Sequence, residues 1–357
     1  MQYAAPSWLP GGNLQTIWPA LYARRVLGAP VRYRRERWNT PDADFIDVDW
    51  LEDMGSVLAT AGSARPPDGP RLAVGDAVRR PYVLPTLTSG APPLLVLFHG
   101  LEGSSNSHYA QAFAEFARER DMAFAVPHFR GCSGDINLAP RAYHSGDFEE
   151  VGWILQRFRQ LHDGPIWAVG VSLGGNALLR WAQEAGTQAA GVVSALAAVS
   201  SPIDLAAGGA AIGRGFNRLV YTRMFLATMK PKALLKLAQH PGLFDRDALL
   251  AAQTLYAFDN AFTAPLHGFK NTEDYWHRGS AKPRLREIRV PTLVVNARND
   301  PFVPAACLPT QADVGPHVTL WQPEHGGHVG FPQGRLPGHV RAMPDAVGHW
   351  LQAFAAH

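Results

Sequence analysis

The stretch Ile166-Trp167-Ala168-Val169-Gly170-Val171-Ser172-Leu173-Gly174-Gly175-Asn176 decides how this chain is read. An apolar run leads into a G-x-S-x-G pentapeptide, and residues at helical spacing lead out of it, from Asn176 to Ala185. A strand, a turn of one or two residues and a helix form the setting in which such a serine is held in a strained conformation with its hydroxyl exposed. Side chains at Gly170 or Gly174 would collide with neighbouring backbone in so tight a turn. The helix that follows aims unpaired N–H groups at Ser172 and favours negative charge developing there. Ser172 is therefore a candidate nucleophile. A plain βα turn can carry the same letters, so its chemistry depends on what surrounds it.

Outward from this stretch the punctuation is regular. Leu94–Phe98, Ala123–Val126, Val192–Val199, Thr292–Asn296 and Val318–Trp321 are further apolar runs. Such runs suit parallel strands buried on both faces. Ala110–Arg118, Phe148–Phe158 and Val340–Phe354 have helical spacing between or after them. The alternation predicts an α/β fold, a mostly parallel sheet flanked by helices. Asp44–Trp50 alternates polar and apolar residues and predicts a half-exposed strand. The segment before it, to about Arg37, is rich in aromatic, Pro and Gly residues and reads as an irregular arm. The Ala-, Gly- and Pro-rich stretch from Asp53 to Pro93 reads as a surface excursion.

Between Asp204 and about Leu285 the rhythm breaks. Arg214–Met229 and Lys232–Ala238 look helical, and Asp259–Trp276 is irregular and aromatic. An insertion at that point lies above the C-terminal ends of the strands, where ligand crevices of open α/β sheets form. The expected organisation is an arm and the first part of the core over 1–203, a helical cap over 204–285, and the rest of the core over 286–357.

A serine hydroxyl needs a neighbouring base. His328, in Gly326-Gly327-His328-Val329-Gly330, lies in a Gly-rich loop after the last expected strand, and His325 is its rival. The orienting acid follows the serine and precedes the histidine in chain order. Asp300, 128 residues after Ser172 and 28 before His328, closes a late strand; Asp204 also satisfies the order. Position favours Asp300. His99-Gly100-Leu101-Glu102-Gly103 follows an earlier strand and places the backbone N–H of Leu101, with that of Leu173, as a candidate oxyanion hole.

With these residues placed, the chain resembles the YheT-like branch of the α/β-hydrolases, which includes relatives described as monoacylglycerol lipases and as medium-chain ester synthases. The resemblance spans most of the chain. It is carried by Trp8-Leu9-Pro10 with Asn13-Leu14-Gln15-Thr16, His99–Ser105, Ser107-His108-Tyr109, Arg130–Gly134, Tyr143–Gly146, Phe262–Phe269, Asn299–Phe302 and Gly326–Phe331. It implies a triad of Ser172, Asp300 and His328, hydrolysis of short- to medium-chain or glyceryl carboxylic esters, and no cofactor. Gly12 before Asn13, and the length of residues 53–93, depart from the usual pattern. The alternatives are an acyltransferase using the same residues and a non-catalytic binding protein on the same fold.

Composition narrows the remaining classes. The 357 residues are 46% hydrophobic and 18% charged, with a net charge of +3 and only two cysteines, Cys132 and Cys307. The basic residues form no run of the kind that binds nucleic acid. Two cysteines make no disulfide framework and are expected to be small buried or half-buried thiols. His325 and His328 lack the partners of a metal site. No signal-peptide pattern opens the chain and no apolar run is long enough to span a bilayer, so cytoplasmic residence is the expectation. Arg214, Arg218, Arg223, Lys230, Lys232 and Lys236, interleaved with Phe216, Tyr221 and Phe225, suggest either a solvated helix face or a transient membrane contact. Oligomeric state has no signature in the sequence.

Overall fold

The computed structural model describes residues 1–52 and 91–354. The expected excursion therefore lies, from 53 to 90, outside the described residues. Within them the apolar runs become strands: β1 (Tyr33–Asn39), β2 (Phe45–Leu51), β3 (Leu94–Phe98), β4 (Ala123–Pro127), β5 (Ile166–Val171), β6 (Ala195–Val199), β7 (Thr292–Val295) and β8 (Val318–Trp321). They form one sheet in the order β1-β2-β4-β3-β5-β6-β7-β8. β2 pairs antiparallel with β1 and β4, and every other pairing is parallel. β6 is shorter than the apolar run suggested. Val192 and Val193 both donate to the Ala189 carbonyl, closing a turn before the strand begins.

The period of two along each strand builds both layers. Leu94, Val96, Phe98, Ala168, Ala198 and Val294 point to one face, onto the helices Phe148–Leu161 and Leu173–Ala185. Leu95, Leu97, Val169, Ala197, Leu293 and Val295 point to the other, onto His108–Arg118 and Ala342–Gln352. Because both faces are covered, strands such as β3 and β5 are buried along their whole length.

The N-terminal segment is not the irregular arm its composition suggested. It holds a helix, Gly12–Leu21, and strand β1. Pro19 inside the helix removes the amide that would bond to the Gln15 carbonyl. That carbonyl instead packs against Gly330, where a Cβ would come within 1.7 Å of it.

β2 is not half-exposed. Its acidic residues Asp47 and Asp49 are buried, and cross-strand arginines of β1 cover them. Arg37 donates to Asp47 at 2.7 and 2.8 Å, and Arg35 to Asp49 at 2.7 and 2.9 Å. His128 and Ser105 also reach Asp49, at 2.8 and 2.6 Å. Close by, the buried Arg130 lies 2.9 Å from Asp42 and 2.6 Å from Asp44, and also pairs with Glu150.

Residues 204–285 separate β6 from β7 and contribute no strand among the described residues. One helix, Arg223–Gln239, runs through Pro231 where two had been expected. The stretch expected to be irregular forms short helical turns at Asp259–Thr263 and Ala264–Leu266 and a helix at Thr272–Gly279. The six cations of this segment do not share a face. Lys236 is buried and donates to the Asn137 and Ala139 carbonyls, and Lys232 pairs with Glu102 at 2.9 Å. Both cysteines are free and half-buried. No helix among the described residues is long and apolar enough to cross a membrane.

Removing one partner from a buried charge network leaves the others uncompensated. Arg130→Met is expected to lower unfolding free energy by about 3–5 kcal/mol, read from urea denaturation at neutral pH. A loss below about 1 kcal/mol would show that the Arg130 cluster is not buried as described.

Candidate active site

Ser172 follows the last residue of β5 and caps the helix Leu173–Ala185 with φ 53° and ψ −119°. A non-glycine residue in this region carries strain of about 1–3 kcal/mol. Close packing imposes it. A Cβ on Gly170 would sit 2.5 Å from the Gly174 carbonyl oxygen, and one on Gly174 would sit 2.5 Å from that of His99. The turn thus lies directly on the loop that follows β3.

His328 stands over the serine. Its Nε2 is 3.0 Å from Ser172 Oγ and its Nδ1 is 2.9 Å from Asp300 Oδ2. Ionised Asp300 can only accept, so Nδ1 carries the proton and Nε2 is left to accept from the serine hydroxyl. The carboxylate is buried, and its Oδ1 accepts from the amides of Phe302 and Val303 at 2.7 and 3.3 Å. The Phe302 ring lies against the imidazole, centroids 4.2 Å apart. The rival residues are elsewhere. His325 is exposed, with Nδ1 3.4 Å from Asn299 Nδ2. Asp204 caps the helix Leu205–Ile212 by accepting from the Ala207 amide at 3.0 Å.

Leu101 and Leu173 both line the cavity that holds Ser172 and His328. Neither backbone N–H donates to another group among the described residues. Two free donors beside a nucleophile–base pair can hold an oxyanion. The loop carrying Leu101 is fixed by tyrosines: the Gly100 amide donates to Tyr109 Oη and the Glu102 amide to Tyr143 Oη, each at 2.9 Å. Below it, His99 is fully buried. Its Nε2 accepts from the Phe129 amide at 3.0 Å, so its Nδ1 carries the proton toward the Gly100 carbonyl at 2.8 Å. Burial, with His128 nearby, pushes His99 down to about 3. Burial likewise takes His108 and His144 down to about 4.

The histidine loop is held by residues that motif reading did not single out as functional. Gln15 Oε1 accepts from the Gly326 amide at 2.9 Å and also from Asn299 Nδ2 at 2.9 Å. Thr16 Oγ1 accepts from the His328 amide at 2.8 Å. Asn299 Oδ1 accepts from the Gly327 amide at 3.0 Å. One helix near the N-terminus therefore positions both the residue beside Asp300 and the backbone of His328. The only signal was the block Asn13–Thr16, which carried a resemblance and no role.

Two cavities meet at Leu101 and Leu173. The first contains Ser172 and His328 and is walled by Leu205, Ile212, Phe225, Leu255 and Phe302. The second is more polar, with Glu102, Arg130, Asn137, Lys232 and Lys236 in its wall.

A family model described as the alpha/beta hydrolase fold matches residues 93–334. The protein YheT of Escherichia coli (strain K12) is 35% identical over 345 residues, covering 96% of this chain and 90% of that protein. Phospholipase ABHD3 of Mus musculus is 27% identical over 334 residues, covering 92% of this chain and 73% of that protein. Among solved structures, mouse alpha/beta hydrolase domain-containing protein 10 superposes with a TM-score of 0.51 at 14% identity, covering 90% of this chain and 99% of that one.

Imidazoles kept neutral by burial make stability depend on pH. The unfolded chain takes up protons near the ordinary histidine value of about 6.5, whereas folded His99, His108 and His144 do so only near 3 to 4. Their contribution is complete above about pH 6.5 and is lost as pH falls, by up to about 1.4 kcal/mol per pH unit for each imidazole. Calorimetry is expected to show the melting temperature falling from pH 6.5 to pH 4.5, because the three imidazoles together outweigh the opposite contribution of buried Glu150 and Asp259, whose carboxyls burial raises to about 7 and about 6. A flat profile would contradict the buried neutral state.

Proposed function

This chain belongs to the α/β-hydrolase family, in its YheT-like branch, and we propose that it cleaves carboxylic esters through an acyl-enzyme formed on Ser172. The reading is carried by the continuous hydrogen-bonded line Asp300–His328–Ser172 beside two unused backbone donors. Ser172 Oγ attacks the acyl carbon while His328 Nε2 takes its proton. The Leu101 and Leu173 amides hold the oxyanion as it forms. Asp300 stabilises the imidazolium and stays ionised. The tetrahedral adduct collapses, the C–O bond to the alcohol breaks, and the imidazolium protonates the departing oxygen. Water then attacks the acyl-enzyme with His328 as base, releasing the acid and restoring the serine. The apolar cavity suits a short- to medium-chain acyl group or the acyl chain of a glyceryl ester. The ester-hydrolysing character of the family and the name of the mouse phospholipase agree with an apolar, lipid-like substrate.

The same reading extends to a transient contact with an anionic lipid surface. Tyr221 packs on Phe302, and Phe225 and Met229 line the serine's cavity. A neighbouring face of this segment leaves Phe216, Leu219, Val220 and Met224 exposed among the exposed Arg214, Arg218 and Arg223. From Leu205 to Phe244 the chain has no Asp or Glu. Exposed apolar side chains within an all-cationic segment match a lipid interface.

Ser172→Ala is expected to cut turnover of p-nitrophenyl esters by roughly 10⁴-fold or more and to abolish fluorophosphonate labelling, with the melting temperature unchanged. His328→Ala is expected to do comparable damage, and the double variant little more, because the two act as one unit. Undiminished turnover in Ser172→Ala would overturn the reading. Binding to vesicles containing phosphatidylglycerol, followed by sedimentation, is expected to weaken with salt and with Leu219→Glu or Met224→Glu. Equal binding to neutral vesicles, indifferent to both, would remove the membrane contact.

A further inference from the structure

Between the two cavities stands a carboxylate that takes no part in acyl transfer. Asp259 lines both. Its Oδ1 accepts from Thr263 Oγ1 at 2.7 Å and its Oδ2 from Trp276 Nε1 at 2.9 Å. No cation pairs with it among the described residues, and burial raises its carboxyl to about 6. Each carboxylate oxygen can accept a second hydrogen bond. Met229 and Tyr275 also line both cavities. A carboxylate placed in such a wall without a counter-ion is costly unless a further donor meets it.

The linings say which donor. Leu101 and Leu173 border both cavities, so an ester carbonyl held by their amides lies at the junction. The acyl chain then extends into the apolar cavity and the alcohol portion into the polar one. Asp259, common to both walls, is placed to meet a group close to the ester bond. Cations on the polar side are already matched. Arg130 is matched by Asp44 and Glu150, Lys232 by Glu102, and Lys236 by carbonyl oxygens. A phosphate there would find no free cation and would face Asp259. A neutral hydroxyl group would find an acceptor.

We propose that Asp259 accepts a hydrogen bond from a free hydroxyl group on the alcohol portion of the substrate, and so determines a preference for polyol esters over esters of simple alcohols. The assignment rests on the ester-hydrolase reading and deepens it. Asp259 acts on selectivity, and bond cleavage remains with Ser172 and His328.

The test compares a glycerol monoester with the ethyl ester of the same fatty acid, by kcat/KM in the active chain and by calorimetric binding in the Ser172→Ala chain. Asp259→Asn keeps the size of the side chain; its Oδ1 can accept from Trp276 and its Nδ2 can donate to Thr263, so the local packing has its partners. It is expected to lower the glycerol-to-ethyl ratio by roughly ten- to hundredfold in both measurements, because a charged acceptor is replaced by a neutral one. Asp259→Leu is expected to lower it further.

The ratio also has a pH signature. In the parent chain it should rise as pH increases through about 6, when Asp259 ionises. In Asp259→Asn it should stay flat. Any pH dependence of the bond-cleaving step is common to both esters and cancels. Among other groups facing the cavities, His144 is held near 4 and Tyr275 well above its ordinary value, so neither titrates in that range, and Glu102 pairs with Lys232. Equal losses on both esters, or a pH-independent ratio in the parent chain, would reduce Asp259 to a structural role. Failure of the hydrolase reading would look different: Ser172 would resist fluorophosphonate, while the binding preference would still report on Asp259.

Discussion

The left-handed backbone at Ser172 is the constraint on which the site depends. Strain of this kind persists only where the surroundings over-determine it. The Ser172 amide donates to the Val199 carbonyl at 2.8 Å, and its own carbonyl accepts from Gly175 and Asn176 at 3.0 and 3.2 Å. Asn176 then ties the helix start to distant chain. Its Nδ2 donates to the Ser145 and Gly279 carbonyls at 2.8 and 2.7 Å, and its Oδ1 accepts from the Ala281 amide at 3.1 Å. The hydroxyl is thus aimed by a sheet strand, the first helical turn and the end of the 204–285 insertion together. Its direction belongs to the backbone, and His328 has only to meet it.

Much of this was legible in the sequence, for a physical reason. Strands buried on both faces must be continuous apolar runs, so β3, β5, β6 and β7 announce themselves. Groups that close such strands, Ser172 after β5 and Asp300 beyond β7, stand out against them. Other features carried no comparable signal. The helix Gly12–Leu21 has Gly at its start and Pro19 inside it, and its inward residues Gln15 and Thr16 are polar, so no hydrophobic period marks it. The alternation of β2 is the same whether its acids meet water or arginines, and only the register Arg35↔Asp49 and Arg37↔Asp47 decides between them. Lys232 and Lys236 look like surface cations in one dimension and turn inward in three.

Charge is distributed to opposite ends of the same problem. Beside β2, Arg37 and Arg35 help hold the buried carboxyls of Asp47 and Asp49 below the ordinary carboxylate range. Under the loop bearing Leu101, His99 is kept neutral by burial and by a hydrogen bond that its protonated form could not accept. The two regions touch through Asp49 and His128, whose neighbouring ring lies 5.8 Å from that of His99. The nearness of His128 adds to burial in disfavouring charge on His99. The loop bearing Leu101 is therefore rigid on neutral hydrogen bonds, while the sheet edge behind it is rigid on ionic ones.

The bonds from Gln15 and Thr16 to the histidine loop join residues 311 and 312 positions apart. During synthesis at about 5–20 residues per second, the helix Gly12–Leu21 would wait on the order of tens of seconds before its partners were made. Through that interval the turn bearing Ser172 could be complete while the imidazole that meets its hydroxyl did not yet exist. On the proposed reading, ester cleavage would begin only in a single late event, when the final strand and the loop behind it dock onto a helix made long before.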